Sequence, residues 1–425
     1  MSALAYSESQ TQRSFVRNTM DEHIIITNIT IFCCLLIAFS AIKRYANASF
    51  LPAEAWILIA GILYGITLKE THIDWLPAIH FNPEIVLFVF LPILIFASGR
   101  LINISALKAE VIPISFFAII GVLATSFMIG APIAWVLDIP LLHGLLIGAA
   151  AGATDPAAVA AIFNSFKVPE RLHLVIEGES LFNDGTTVVL FALISSLVLS
   201  DSMFDLKTSL LGFVWTIAGA IPVGILIGWL GAKTLMLWGQ QQLFFSVSIS
   251  VVIAYSAFLI GEKLLHISGV IAVVMAAIFF IKTWRQHESN SEGFKTLNDF
   301  WEYIADLTNG ILFFALGVAT GLHDFQKVPF IAVLTAIAAM LIARAILIYG
   351  GTGLLNLAKR GFPVSWQHIM YLGGLRGGVS AALILLIPED YPYRGYFLCL
   401  AFAMIAFSLI LQPAVMQRYL KCAPL

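Results

Sequence analysis

The stretch LLHGLLIGAAAGATDPAAVAAIF, residues 141–163, is an apolar segment interrupted by a threonine, an aspartate and a proline. It is long enough to cross a bilayer as a helix, which takes roughly 20 apolar residues. Pro156 lacks the main-chain N–H that a helix interior needs, and it pushes the preceding residue out of the helical conformation. We therefore predict that this helix breaks at Thr154–Asp155. A break in mid-membrane is tolerated where its free carbonyl groups line a cavity, as they do in the ion sites of transporters.

The rest of the chain has the composition of a helical membrane protein. Of its 425 residues, 60% are hydrophobic and 11% are charged, whereas a soluble domain has about 25% charged residues. This composition excludes a single soluble domain and a disordered chain. We expect an all-α polytopic membrane protein with about 13 transmembrane helices. The thirteen apolar runs long enough to cross are 24–42, 53–68, 83–99, 111–137, 140–164, 172–199, 208–232, 240–261, 266–281, 303–321, 329–354, 367–387 and 395–417.

The distribution of positive charge predicts the orientation. Lys and Arg number 14 in the odd-numbered loops and the C-terminal tail, but 7 in the N-terminal tail and the even-numbered loops. Because positive charge accumulates on the cytoplasmic side, we expect a multi-pass protein of the cell (inner) membrane with its N-terminus outside and its C-terminus in the cytoplasm. Residues 1–23 are expected to form a polar N-terminal tail and residues 24–425 a single membrane transporter domain. The net charge of −2 offers no basic surface for nucleic acid.

Six charged residues lie well inside the apolar runs. Each costs about 2.5–3.5 kcal/mol at the centre of an inserted helix, so a buried charge in a membrane indicates function or a buried partner. Four of the six fall within thirty residues of each other. The six are Asp155, Glu177, Glu179, Asp184, Arg344 and Arg376.

The sequence EGESLFNDGTT, residues 177–187, places several oxygen donors on one helix. Ser180 and Asp184 are four residues apart and share a face with Glu177, while Glu179 and Asn183 share the neighbouring face. A hydroxyl, a carboxamide and a carboxylate beside a broken helix form a hard, all-oxygen site. Such a site suits Na⁺ or Li⁺ rather than a soft metal.

A third segment, YLGGLRGGVS at residues 371–380, holds an arginine among four glycines. The glycines predict an unwound or closely approached helix in the twelfth span. The buried arginine, Arg376, needs an anion, for which we expect Glu179, with Glu177 as the alternative. Arg344 is expected to pair with a buried acid or a helix C-terminus that the sequence does not identify.

Together these motifs resemble the monovalent cation:proton antiporter family of the NhaP type, to which the sodium/hydrogen exchangers belong. The resemblance rests on Thr154-Asp155-Pro156, on IEGESLFNDG at 176–185, on GLRGGVS at 374–380 and on LPILIF at 91–96. It covers nearly all thirteen spans. After Phe96, many relatives have a glutamate where this chain reads Ala97-Ser98-Gly99, which leaves the preference among Na⁺, Li⁺ and K⁺ open.

The resemblance implies a role for each site residue. Asp184 would bind cation and proton in turn, with Ser180 and the break at Thr154 and Asp155 helping to ligate the ion. The transported Na⁺ would thus contact Asp184, Ser180 and Thr154. Asn183 stands where electrogenic relatives carry a second aspartate. Glu179 and Arg376 would form a structural ion pair.

The resemblance also implies the architecture. The protein would be a homodimer in the lipid bilayer, and each protomer would have a moving core domain from spans 4–6 and 11–13 and an interface domain from the remaining spans. The two halves of the core would be inverted repeats, in which the broken spans 5 and 12 cross.

The expected function is a secondary active antiporter that exchanges H⁺ for Na⁺ or Li⁺. A single carboxylate that holds either one proton or one cation gives electroneutral 1:1 exchange. A K⁺/H⁺ antiporter of the same class is the alternative, and a cation channel using the same carboxylates as a selectivity ring is a further one. No enzyme activity and no cofactor are expected.

Overall fold

The computed structural model describes most of the chain as helix. The described residues are 30, 33–46, 51–71, 82–163, 166, 168–199, 206–238, 243–285, 292–358 and 360–422. The predicted polar tail at residues 1–23 lies outside them. Within the described part there is no β-strand, which confirms the all-α prediction.

From residue 53 onward the principal helical segments are numbered α1 to α15, and residues 33–46 are helical as well. The segments are α1 (Ala53–Thr71), α2 (Pro83–Gly99), α3 (Ile104–Ala109), α4 (Val111–Leu137), α5 (Leu141–Ala150), α6 (Pro156–Phe163), α7 (Glu170–Leu199), α8 (Leu206–Trp238), α9 (Leu243–Leu259, extended by Ile260–Leu264), α10 (Gly269–Arg285), α11 (Glu292–Gly321), α12 (Phe330–Leu357), α13 (Val364–Leu372), α14 (Gly378–Leu385) and α15 (Arg394–Cys422).

Several of these helices are long and apolar enough to cross a membrane. Among the described residues seven meet both conditions, namely α4, α7, α8, α9, α11, α12 and α15. Shorter apolar helices, α2 and α5, accompany them. The chain is therefore a multi-pass membrane protein, while the exact number of thirteen spans stays a prediction.

Both spans that were predicted to break are broken. The fifth span is divided into α5 and α6 by residues 151–155, and the twelfth into α13 and α14 by residues 373–377. The two breaks touch, because the main-chain N–H of Asp155 donates a hydrogen bond to the carbonyl of Leu375 over 2.8 Å. We call residues 151–155 the first break and residues 373–377 the second break.

The wall beside this crossing is built from closely packed helices. Gly61 and Gly65 of α1 lie directly against the backbone of α11, where Gly317 and Gly321 face them, and a Cβ atom at any of these four positions would collide with the opposite main chain. Small residues four apart allow helix backbones to approach in this way inside a bilayer. The seam therefore fixes α11 at a set distance from α1, and α11 carries part of the site.

Candidate cation-binding site

The first break is attached to α7 by a network around Thr154. The amide nitrogen of Asn183 donates to Thr154 Oγ1 over 2.7 Å, and Thr154 N donates to Asn183 Oδ1 over 3.4 Å. Thr154 Oγ1 donates to Ser180 Oγ over 3.2 Å, and the Ser180 hydroxyl donates to the carbonyl of Thr154. All three side chains are buried. The helical spacing of Ser180 and Asn183 thus brings both onto one residue of the break, and Asn183 engages Thr154 with both ends of its amide.

Asp184 follows Asn183 on α7 and lies at a small cavity of about 30 Å³, which Thr154 and Asp155 also line. The residue is 5% exposed, and its Oδ1 atom has no hydrogen-bond partner. An ionised carboxylate oxygen that is buried without a partner is costly. We therefore expect this oxygen to bind a proton or a cation, and the cavity has room for a single ion.

A wider cavity of about 150 Å³ adjoins the small one. Its wall contains the carboxylates of Glu177, Glu302 and Asp306 and the guanidinium of Arg100. The Arg100 guanidinium is itself anchored, because it donates to Asn298 Oδ1 over 2.9 Å and to the Asn298 carbonyl over 3.2 Å. Asp306 is paired with Lys43 and Glu177 with His173, but acidic residues still outnumber the one basic residue in the lining of this cavity. An excess of negative charge raises the local concentration of cations.

The predicted ion pair between Glu179 and Arg376 is wrong. Glu179 pairs with Arg344 of α12, whose Nη1 and Nη2 atoms both reach the carboxylate, the second over 3.2 Å. Arg344 Nη2 also donates to the carbonyl of Met370 over 2.8 Å, close to the C-terminal end of α13. The physical reason is that this end offers an unpaired carbonyl beside the acid, so one guanidinium satisfies both. Arg344 therefore has the buried acid that the sequence did not identify.

Arg376 instead donates hydrogen bonds to the first break. Its Nη1 atom donates to the carbonyls of Gly152 over 3.1 Å and Ala153 over 3.2 Å, and its main-chain N–H donates to Ser408 Oγ over 3.1 Å. Ser380 Oγ also donates to Ala153 O over 3.1 Å. These carbonyls follow the end of α5, where the helix dipole is negative. A positive charge from the second break thus stabilises the exposed main chain of the first.

Several other residues at the cavities had no predicted role in the site. Ser98 of α2 and Asn309 of α11 line both cavities, while Glu302 and Asp306 line the wider one. No motif contains them, since they come from helices remote from α7 in the chain. A signal existed for Asn309, which is an uncharged polar residue inside the apolar run 303–321. Ala97 lines the wider cavity as well.

The donors at this site are hydroxyl, carboxamide, carbonyl and carboxylate oxygens. Within the described residues, no group of three or more His, Cys, Asp and Glu side chains could hold a metal ion. The donor set fits a monovalent cation held weakly and released again.

Comparison with known proteins agrees with this geometry. The family model described as "Sodium/hydrogen exchanger, transmembrane" matches residues 29–422. The Na⁺/H⁺ antiporter ApNhaP of Aphanothece halophytica is 31% identical over 411 residues, covering 96% of this chain and 75% of that protein. The Na⁺/H⁺ antiporter NhaP of Pseudomonas aeruginosa is 29% identical, covering 88% of this chain and 92% of that protein.

A solved structure shares the fold. The sodium proton antiporter MjNhaP1 from Methanocaldococcus jannaschii superimposes with a TM-score of 0.77 over 94% of this chain and 99% of its own, at 19% sequence identity. The similarity in fold therefore extends over nearly the whole chain.

Proposed function

The chain belongs to the sodium/hydrogen exchanger family, and from this premise we propose that it is an antiporter that exchanges Na⁺ or Li⁺ for H⁺ across the cell membrane. The observation that carries the proposal is the unpaired, buried Oδ1 atom of Asp184, which lies at a small cavity that adjoins a wider, acid-lined one. The curated relatives are named Na⁺/H⁺ antiporters. No cofactor takes part in the proposed exchange.

Competition for Asp184 supplies the coupling. In a buried site the lone carboxylate is unfavourable, so Asp184 holds either a proton or a cation, and the two exclude each other. Thr154 and Asp155 line the same cavity and would contribute oxygen atoms to the cation. Ser180 is linked to this cavity by its hydrogen bonds with Thr154. It supports the ion either by holding Thr154 in place or by giving up that hydrogen bond and binding the ion itself.

The position of the cavities supports an alternating-access mechanism. They lie where α2 and α11 meet the first break, and the small cavity also reaches Gly377 of the second break. In the proposed division, the core domain contains α4–α7 and α12–α15, whereas α1, α2 and α8–α11 belong to the interface domain of a homodimer. The site therefore lies at the boundary along which the core would move.

The proposed orientation keeps the N-terminus outside and the C-terminus in the cytoplasm of the inner membrane. Arg100 and Glu302 then lie at the cytoplasmic face, since they belong to the positively charged side. The wider cavity would in that case open to the cytoplasm and lead cations inward to Asp184.

Transport assays in proteoliposomes test the proposal. With an imposed proton gradient, Na⁺ and Li⁺ should release protons from wild-type vesicles. Asp184→Asn should abolish the response, because a carboxamide does not take up and release a proton and so cannot couple the cation to H⁺. Asp324→Asn is the matched control, since Asp324 lies on the loop after α11 and pairs with Lys69 and Lys327. A response larger for K⁺ would favour the K⁺/H⁺ alternative. Cation flux that ignores the proton gradient would favour a channel.

The stoichiometry has its own test. We propose 1:1 electroneutral exchange, because Asn183 is neutral and both ends of its amide engage Thr154. Asn183→Asp adds a second titratable carboxylate beside Asp184 and should make transport respond to membrane voltage. The measurement is exchange rate against an imposed potential, with and without a potassium ionophore. Voltage dependence already present in the wild type would contradict the 1:1 proposal.

A further inference from the structure

The two cavities adjoin along a neck, which we define by the residues that line both of them, namely Leu94, Ser98, Asp155, Pro156 and Asn309. The neck has two unlike walls. Asp155 and Pro156 lie at the first break, whereas the other three belong to α2 and α11. A cation that passes from the wider cavity to Asp184 must therefore move between a wall of the proposed core domain and a wall of the proposed interface domain.

The polar groups of the second wall are a hydroxyl and a carboxamide. Ser98 Oγ donates its proton to the carbonyl of Leu94 over 3.1 Å, which leaves the lone pairs of the hydroxyl oxygen available to a ligand. The Oδ1 atom of Asn309 lies against Gly378, where an added Cβ atom would collide with it. Asn309 is thus held between α11, the first residue of α14 and the small cavity.

This wall carries no carboxylate among the residues of the neck. Ala97 precedes Ser98 and lines the wider cavity. A neutral oxygen attracts a cation less strongly than a carboxylate does. A strongly charged ligand offsets the cost of dehydrating a small cation better than the cost of dehydrating a large one. A wall of neutral oxygen atoms therefore discriminates less strongly between Na⁺ or Li⁺ and K⁺.

We propose that Asn309 is a specificity-determining residue, whose carboxamide oxygen acts with the Ser98 hydroxyl to replace part of the cation's hydration shell at the neck. The inference rests on the proposed antiport function and adds to it a contact from the interface domain. The moving core domain supplies Asp184 and Thr154, whereas the opposite wall discriminates between the cations that reach these two residues.

The experiment compares Na⁺, Li⁺ and K⁺ exchange in proteoliposomes at one alkaline pH for the wild type and four variants. Asn309→Ala and Ser98→Ala should each raise the KM for Na⁺ and Li⁺ by about tenfold with little change in kcat, the loss expected for one contact to a charged group. Asn309→Asp should raise the preference for Na⁺ over K⁺, as the ratio of kcat/KM values, by about tenfold. Ala305→Ser is the matched control, because Ala305 lies one turn earlier on α11 and lines the wider cavity; its ratio should equal that of the wild type.

The outcomes separate this inference from the antiport proposal. If the wild type exchanges cations for protons but the Na⁺/K⁺ ratio is the same in all variants, or changes as much in Ala305→Ser, the role of Asn309 is overturned while the antiport function stands. If the wild type exchanges no cation for protons, the antiport function fails. If Asn309→Ala does not fold, the role of Asn309 is tested with the nearly isosteric Asn309→Asp and with Ser98→Ala. The measurement is again the Na⁺/K⁺ ratio of kcat/KM values.

Discussion

The two breaks are formed by different means and do different work. The first contains Thr154 and Asp155, and Pro156 enforces it, since the ring removes a helix N–H and restricts the preceding residue. The second contains Gly373, Gly374 and Gly377 around an arginine and has no proline. One break is imposed by covalent geometry and the other is permitted by the absence of side chains.

The difference shows how charge is divided at the crossing. The first break brings oxygen atoms and a carboxylate to the cavity. The second brings Arg376, whose guanidinium turns to the carbonyls of Gly152 and Ala153. We infer that the first break handles the exchanged ions, whereas the second supplies a fixed positive charge that stabilises the first. Substitutions at the two breaks should therefore have different effects on transport and on stability.

The largest effect is expected from Gly377→Ala. A Cβ atom at Gly377 would collide with the side chain of Asp155, so the two breaks could not meet as they do. We expect exchange to be lost. Gly373→Ala is the matched control in the same break, because its nearest neighbour is the Ile369 carbonyl at 3.1 Å, and it should keep most of its activity. Equal activity of the two variants in proteoliposomes would show that close contact between the breaks is not required.

A double-mutant cycle separates the two arginines. Removing Glu179 or Arg344 leaves a buried charge without its partner and should destabilise the protein by about 3–5 kcal/mol. The coupling energy of Glu179→Ala with Arg344→Ala should then be large, while that of Glu179→Ala with Arg376→Ala should be smaller by at least about 1 kcal/mol. Unfolding in detergent, followed by intrinsic fluorescence, gives both values. A larger coupling with Arg376 would restore the pair that the sequence predicted.

The smallest effects distinguish the breaks most directly. Thr154→Val removes a hydroxyl from the cavity wall and should raise the KM for Na⁺ by about tenfold, as for one contact to an ion. Ser408→Ala removes the acceptor of the Arg376 main-chain N–H and should cost about 1 kcal/mol of stability with an unchanged KM. If both variants alter KM equally, the second break takes part in ion binding and the division between the breaks is wrong.

The parts of the fold that depend on local chemistry could be predicted from the sequence. Pro156 and the glycines around Arg376 act within a few residues of their own positions, so both broken spans were predicted correctly. The spacing of Ser180, Asn183 and Asp184 on one helix likewise placed them beside the first break.

The pairing between distant helices could not be predicted. Nothing in a single sequence says that Glu179 lies nearer to Arg344 than to Arg376, because both arginines are well over a hundred residues away. Ser98 and Asn309 reach the cavities through the packing of α2 and α11, which includes the glycine seam between α1 and α11. Their side chains are uncharged, so their position in an apolar run is a much weaker signal than a charged residue gives.

The hydrogen bond from the Asp155 N–H to the Leu375 carbonyl has a consequence for how such a protein can evolve. Both atoms belong to the main chain, so replacement of either side chain leaves the donor and the acceptor in place, and at position 155 it is proline that would remove the donor. The crossing is to that extent insulated from point mutation. Side chains at positions 155 and 375 can therefore change without loss of this one link between the breaks, whereas the close contact at Gly377 has no such tolerance.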